Sequence, residues 1–376
     1  MDKKFIRLSK SSIGDAEKNA VVGVLDREYL GMGAEVQKFE DKLSEFFGRP
    51  SVCVVNGTAA LHLALQACDV GVGDEVLVQS ITYVGSFQAI SATGAVPVAC
   101  DVDPNSLTLD WRDAEKRLTS KTKAIMLVHY TGGVGPLSEL YAFAHKHGLR
   151  VIEDAAHAFG SLYQQKRVGG FGDVVCFSFD GIKNITSGEG GCIVTADPNV
   201  LQKVSDARLL GVEKDSDRRY VGERSWEFDV KSQGWRYHMS NIMAAIGIEQ
   251  LKRFPSFSVK RQNIAKHYDL ELVNVNKIKL PNNDYNDVVP HIYPIVLDGT
   301  VERKWLQDKL AKSGIQTGIH YQANHEHSYF DRNIMELPVT KRISGNLLSL
   351  PLHTDLDKGD VLHVTDTLKK ILHEKY

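Results

Sequence analysis

Residues 174–191 read Val-Val-Cys-Phe-Ser-Phe-Asp-Gly-Ile-Lys-Asn-Ile-Thr-Ser-Gly-Glu-Gly-Gly, an apolar run that stops at Asp180 and leaves Lys183 in a glycine-rich loop. The first six residues predict a strand buried on both faces, because they are nearly all apolar and end at an Asp-Gly break. A second apolar run, Gly191–Thr195, predicts another strand directly after the loop. Lys183 therefore hangs between two core strands, with Gly188, Gly190 and Gly191 close behind it. Glycines there let backbone approach a bulky planar group without a side-chain collision. Taken alone, Lys183 also reads as a solvated loop lysine.

Working outward, short apolar runs alternate with helical patterns. The expected strands are Ser51–Val55, Glu75–Gln79, Val96–Cys100, Ala124–His129, Arg150–Glu153, Val174–Phe179 and Gly191–Thr195. This alternation predicts βαβ units and an α/β fold with a mostly parallel sheet. After Thr195 the pattern turns helical, with Ser240–Arg253 and Ser258–Glu271 as two helices separated by a break at Pro255. The domain boundary is placed there, giving a large domain over 1–254, including an N-terminal arm, and a smaller α+β domain over 255–376. The latter holds a strand candidate at His291–Leu297, a helix at Val301–Ser313 and a final amphipathic helix.

With 376 residues, about two domains of ordinary size fit. Lys and Arg total 45 against 47 Asp and Glu, a net charge of −2, so no general field holds the chain on nucleic acid or an anionic membrane. The five cysteines lie in apolar segments without a CxxC pair and read as buried thiols. The N-terminal residues lack a signal-peptide pattern, and no apolar run approaches a membrane span, so a cytoplasmic protein is expected. No GxGxxG turn supports a nicotinamide site. His145 with His147, and His325 with His327, lack ligand-spaced carboxylate or Cys partners, so no metal site is expected.

Two further stretches carry chemistry. Asn56-Gly57-Thr58-Ala59-Ala60-Leu61 follows a strand and opens a helix, where unpaired N–H groups and the dipole suit a phosphate. Asn56 or Thr58 acting only as an N-cap is the alternative. Arg150-Val151-Ile152-Glu153-Asp154-Ala155-Ala156-His157 delivers an acid to the end of a strand, where open α/β sheets place ligands. A buried carboxylate there needs a cation, which the protonated nitrogen of a pyridine cofactor supplies. Asp154 capping the following helix is the plainer reading. Phosphate turn, strand-end acid and loop lysine together, in this order, outweigh each alternative taken singly.

These residues, with NGTAALHLAL, GVGDEV, SITYVGS, VHYTGG, VIEDAAHAFGS, GFGDVVCFSF, KNITSGEGG, SNIMAAIGIEQL and LLSLPLH, resemble the DegT/DnrJ/EryC1/StrS family of sugar aminotransferases over nearly the whole chain. The resemblance implies the fold-type I architecture of pyridoxal 5'-phosphate (PLP) dependent transferases and a homodimer with shared active sites. It implies L-glutamate and a nucleotide-linked keto sugar as substrates. Lys183 corresponds to the lysine that holds PLP and moves the proton, Asp154 to the partner of the pyridine nitrogen and Tyr83 to the aromatic stacked on the ring. Gly57, Thr58, Ala59 and Ser178 correspond to the phosphate cradle, and His157 stands where many relatives carry Gln, near the cofactor's phenolic oxygen. Arg236, within Gly234-Trp235-Arg236-Tyr237-His238-Met239, replaces an Asn that reaches the phosphate from the neighbouring subunit. His320 and Tyr321 fall in the segment facing the sugar nucleotide.

Val128-His129-Tyr130-Thr131-Gly132 is similar to relatives acting at sugar C-4, which favours dTDP-4-dehydro-6-deoxyglucose and an amino sugar for O-antigen or another surface glycan. A GDP-perosamine synthase, a 3-keto sugar aminotransferase and a PLP-dependent sugar dehydratase are the alternatives. The dehydratases carry His in place of the lysine, so Lys183 argues for transamination.

Overall fold

A computed structural model describes residues 5–330 and 336–375. All seven strands expected in the first half form, as β1 (Ser51–Val54), β2 (Glu75–Gln79), β3 (Val96–Cys100), β4 (Thr122–Val128), β5 (Arg150–Asp154), β8 (Val174–Ser178) and β9 (Gly191–Thr195). Between β5 and β8 the chain makes a small hairpin, β6 (Leu162–Tyr163) with β7 (Lys166–Arg167). The seven make one sheet in the order β1-β9-β8-β5-β4-β2-β3. Neighbours from β3 through β2, β4 and β5 to β8 are parallel, whereas β9 runs antiparallel to both β8 and β1. This is the mostly parallel α/β sheet that the alternating pattern implies.

Both faces of the sheet are covered, which is why its strands read as continuous apolar runs. Alternate residues feed opposite cores. Val76, Val78, Met126, Ile152 and Cys176 pack under the helix Gly57–Ala67 and its neighbours, while Leu77, Ile125, Leu127 and Val151 face the other side. All five cysteines are buried and unpaired. A three-stranded antiparallel sheet of β10 (Ile278–Lys279), β11 (Tyr293–Leu297) and β12 (Leu347–Leu350) forms a second core with the last helix, Lys358–Lys375. Ile6 bridges to Ile315 and lies in this second core.

The break expected at Pro255 does not occur. One helix runs from Asn241 to Leu272 with Pro255 inside it. Proline removes one i→i−4 hydrogen bond, but Phe254 and Phe257 flank it at 6% and 5% exposure, so tertiary packing overrides the local preference. Phe254 belongs to the core beneath the large sheet and Ile264 to the second core, so a single helix spans both.

Candidate active site

The C-terminal ends of β1, β2, β4, β5 and β8 open into a cavity of about 450 Å³. Strand β1 leads through Asn56 into the helix Gly57–Ala67, whose start forms one wall. Here both readings of the sequence hold locally. Asn56 is the N-cap, its side chain accepting from the Ala59 N–H at 2.8 Å. That engages Ala59, which is buried and does not line the cavity, whereas Gly57 and Thr58 do. A Cβ on Gly57 would stand 2.8 Å from the Ser178 Cβ, so only glycine lets the helix start close on β8.

Asp154 ends β5 at 6% exposure. Its Oδ2 accepts from the Ser86 hydroxyl at 2.8 Å, and its Oδ1 from the Ala156 N–H at 3.2 Å. Ser86 is in turn 2.8 Å from Thr82. Burial pushes the Asp154 carboxyl above its ordinary range, opposed by these donors and by the charge of Lys183. A desolvated acid held by neutral donors and turned to a cavity fits a cationic ring N–H.

The Lys183 loop is pinned at several points. Ser178 and Gly191 pair across β8 and β9, the Phe179 N–H donates to Gly190, and Asn184 Nδ2 donates to the carbonyls of Phe159 and Val289, each at 3.1 Å. Burial pulls the lysine ammonium down to about 8, partly offset by Asp154 and Asp180. A lysine meant to attack an aldehyde needs this, because only the neutral amine is a nucleophile. Uptake of PLP by the cofactor-free protein should therefore accelerate about tenfold from pH 7 to pH 9, with a midpoint near 8, as the neutral fraction rises. Stopped-flow absorbance at fixed PLP checks this, and a flat profile over that range would contradict it.

The glycines behind Lys183 have another purpose than expected. A Cβ on Gly190 would meet the Met239 methyl at 2.9 Å, and one on Gly191 would meet the Asn56 backbone at 2.7 Å. They make room for the protein's own chain. Gly188 has φ +81 with open space around it, a turn requirement.

On the opposite wall, His157 Nε2 lies 3.0 Å from the Tyr321 hydroxyl, and His320 Nδ1 lies 2.8 Å from Ser349 Oγ. Burial and the nearby Lys183 hold His157 well below its usual range and His320 at about 4, so both rings are neutral at pH 7. Tyr83 is 58% exposed at the mouth, with its ring 5.7 Å from that of Tyr321. Its ring is thus free of the core. Arg236 is exposed and does not line the cavity of its own chain.

Sequence reasoning passed over His291, Ser86 and Thr82. Ser86 and Thr82 lie within SITYVGS, where their spacing of four places them together at a helix start. His291 carries no local signal, since its significance comes from a loop over a hundred positions earlier. His129 and Tyr130 of the VHYTG stretch are fully buried and outside the cavity. His129 pairs with Glu153 at 2.6 Å, and the Tyr130 hydroxyl donates to the carbonyl of His320. Among the described residues no group of three or more His, Cys, Asp or Glu is arranged to hold a metal ion, and no helix is long and apolar enough to cross a membrane.

The whole chain superposes on solved aminotransferases. TlmJ from Streptoalloteichus hindustanus matches with a TM-score of 0.91 at 31% identity, covering 99% of this chain and 100% of that one. PseC from Helicobacter pylori, an aminotransferase involved in the biosynthesis of pseudoaminic acid, matches with a TM-score of 0.91 at 27% identity over 99% and 100%. Spr1654 from Streptococcus pneumoniae, solved in its PLP form, gives 0.91 at 28% identity over 99% of each chain. Sheet order, loop lysine and these likenesses define the class: the protein is a PLP-dependent aminotransferase with the fold-type I architecture. Residues 11–369 match the DegT/DnrJ/EryC1/StrS aminotransferase family, to which the chain belongs. Spore coat polysaccharide biosynthesis protein SpsC of Bacillus subtilis is 32% identical over 98% of this chain and 97% of its own length.

Proposed function

We propose that the protein moves the amino group of L-glutamate onto the ketone of a nucleotide-linked 4-keto-6-deoxy sugar, with dTDP-4-dehydro-6-deoxyglucose favoured. The product is a 4-amino-4,6-dideoxy sugar nucleotide for O-antigen or another surface glycan. The observation that carries this reading is the meeting of Lys183 and Asp154 in one cavity, an amine lowered to about 8 beside a buried acid without a protein cation bonded to it. When bound, PLP supplies an electrophilic carbon and a ring that accepts carbanion charge.

The chain's own residues do the rest. Lys183 carries the proton between the carbon and nitrogen sides of the reacting centre. Asp154 keeps a ring N–H protonated, with Ser86 and Ala156 fixing its direction. Gly57, Thr58 and Ser178 receive the phosphate at the helix start, with Ala59 supporting the turn from behind. Tyr83 covers the ring face at the mouth, His157 stands beside the ring's phenolic oxygen, and His320 and Tyr321 face the sugar. We assign 1–254 to the cofactor-binding domain and 255–376 to the smaller one, which closes the cavity through His320 and Tyr321; the boundary falls within the helix Asn241–Leu272, and the N-terminal arm crosses it to pack Ile6 in the second core.

SpsC is named for the biosynthesis of a spore coat polysaccharide and PseC for that of pseudoaminic acid, and these names support a glycan precursor as substrate. The preference for C-4 rests on VHYTG, whose Tyr130 reaches the site through the His320 carbonyl. A homodimer is supported by Trp226 at 85%, Phe228 at 60% and Val230 at 51% exposure, an apolar group close in sequence to the exposed Arg236. In a dimer, Arg236 reaches the partner's phosphate with a charge-assisted bond.

A panel of dTDP, UDP and GDP keto sugars offered with glutamate tests the proposal. One 2-oxoglutarate released per amino sugar is the expected result. Turnover only on a 3-keto sugar would overturn the regiochemistry, and loss of a sugar hydroxyl without 2-oxoglutarate would overturn transamination.

A further inference from the structure

His291 begins the segment that leads into β11, yet its side chain points away from the second core and meets Lys183, with Nε2 3.4 Å from Nζ. The ring is 3% exposed. Its backbone is fixed from two sides, the N–H donating to the Thr131 carbonyl at 3.1 Å and the carbonyl accepting from Arg261 Nη1 at 3.2 Å. The His157 ring packs against it with centroids 4.6 Å apart. Nδ1 has no partner among the described residues, so the one polar contact of this buried ring is to the lysine. Other buried histidines also keep a nitrogen unpartnered, so what sets His291 apart is that its remaining nitrogen meets the lysine. This one is aimed at the reacting amine.

We propose that His291 is the positioning residue of Lys183: its Nε2 accepts a hydrogen bond from the ε-ammonium and so holds the proton-loaded form of the lysine in place within the cavity. The inference rests on the reading of Lys183 as the PLP-bearing lysine. A proton shuttle alternates between amine and ammonium, and the ammonium form is the one that burial penalises. Neutral imidazole offsets that penalty because an acceptor bonds a charged donor more strongly than a neutral one. For Nε2 to accept, the ring must be neutral with its proton on Nδ1. Burial and the adjacent lysine charge keep it in that neutral state. Asp154 and Asp180 favour the ammonium, Arg261 opposes it, and the neutral rings of His157, His320 and Tyr321 complete the surroundings.

The spacing of 3.4 Å is long for a hydrogen bond, as catalytic contacts often are before ligands close the site. Removing the acceptor destabilises the ammonium, so Lys183 loses its proton at lower pH. The test uses purified cofactor-free protein and PLP, reading the pH midpoint of cofactor uptake by absorbance and fixing the product with borohydride for peptide mapping.

For H291L the midpoint should fall by at least about half a pH unit below wild type, while H291Q, which keeps an acceptor of similar reach, should stay close to it. If H291L does not fold, H291N, too short to reach Nζ, serves as the loss variant and should show the same fall. A midpoint unchanged in the loss variant overturns the proposal. Failure of the underlying reading looks different: wild type itself then shows no uptake and no label at position 183.

Discussion

Lys183→Ala is expected to lower the rate of 2-oxoglutarate release by about 10⁴-fold or more at saturating PLP, since one side chain supplies both the nucleophile and the proton shuttle. The fold should survive, because the loop is held by Asn184, by the Ser178–Gly191 pair and by the Ser187 N–H donating to the Phe179 carbonyl rather than by the lysine. Stability offers an independent check with a definite sign. In the folded protein Lys183 releases its proton near 8, whereas in the unfolded chain it does so near 10.5. Between those values the unfolded state holds the extra proton, so wild-type stability should rise with pH relative to the alanine variant. Melting temperatures of the two cofactor-free proteins at pH 7.5 and pH 10 measure this. A variant that keeps more than a hundredth of wild-type turnover would remove Lys183 from the chemistry.

Asp154→Asn should separate activity from stability. The amide keeps an acceptor for Ser86 or for the Ala156 N–H but not both, and loses the charge, so turnover is expected to fall by about 10²- to 10⁴-fold. The melting temperature of the cofactor-free variant should nevertheless gain on that of wild type as pH rises. Burial raises the Asp154 carboxyl above its ordinary value, so the folded state favours the neutral acid, and this contribution is lost as pH rises through the folded pKa. Above that pKa the ionised acid is a cost that asparagine removes. Added PLP should then raise the melting temperature of wild type by more than that of the variant, because only the carboxylate gains a cationic partner. Equal increments from PLP would show that the acid does not face the ring nitrogen.

The large sheet was legible because a strand covered on both faces must be apolar throughout, and all seven such runs became its strands. Asp154 and Lys183 were legible for a related reason: one is a charged residue at the end of an apolar strand and the other stands in a short loop between two such strands, where burial has to be explained. The helix through Pro255 was not, since its continuity depends on Phe254 and Phe257 finding partners far away in sequence. His291 was hidden by the same kind of distance. The glycines after Lys183 pointed to close approach, but sequence could not say that the approaching atoms belong to Met239 and Asn56. His129 and Tyr130 show the converse, a motif associated with substrate whose side chains are packed below and beside the cavity.

Strand β9 reverses direction beside β8, so the two ends of the lysine loop face each other as the pair Ser178 and Gly191. The backbone that carries the amine thus leaves and re-enters the sheet one strand spacing apart, and the hydrogen bonds at its base tie the reach of the lysine to the rigidity of the sheet.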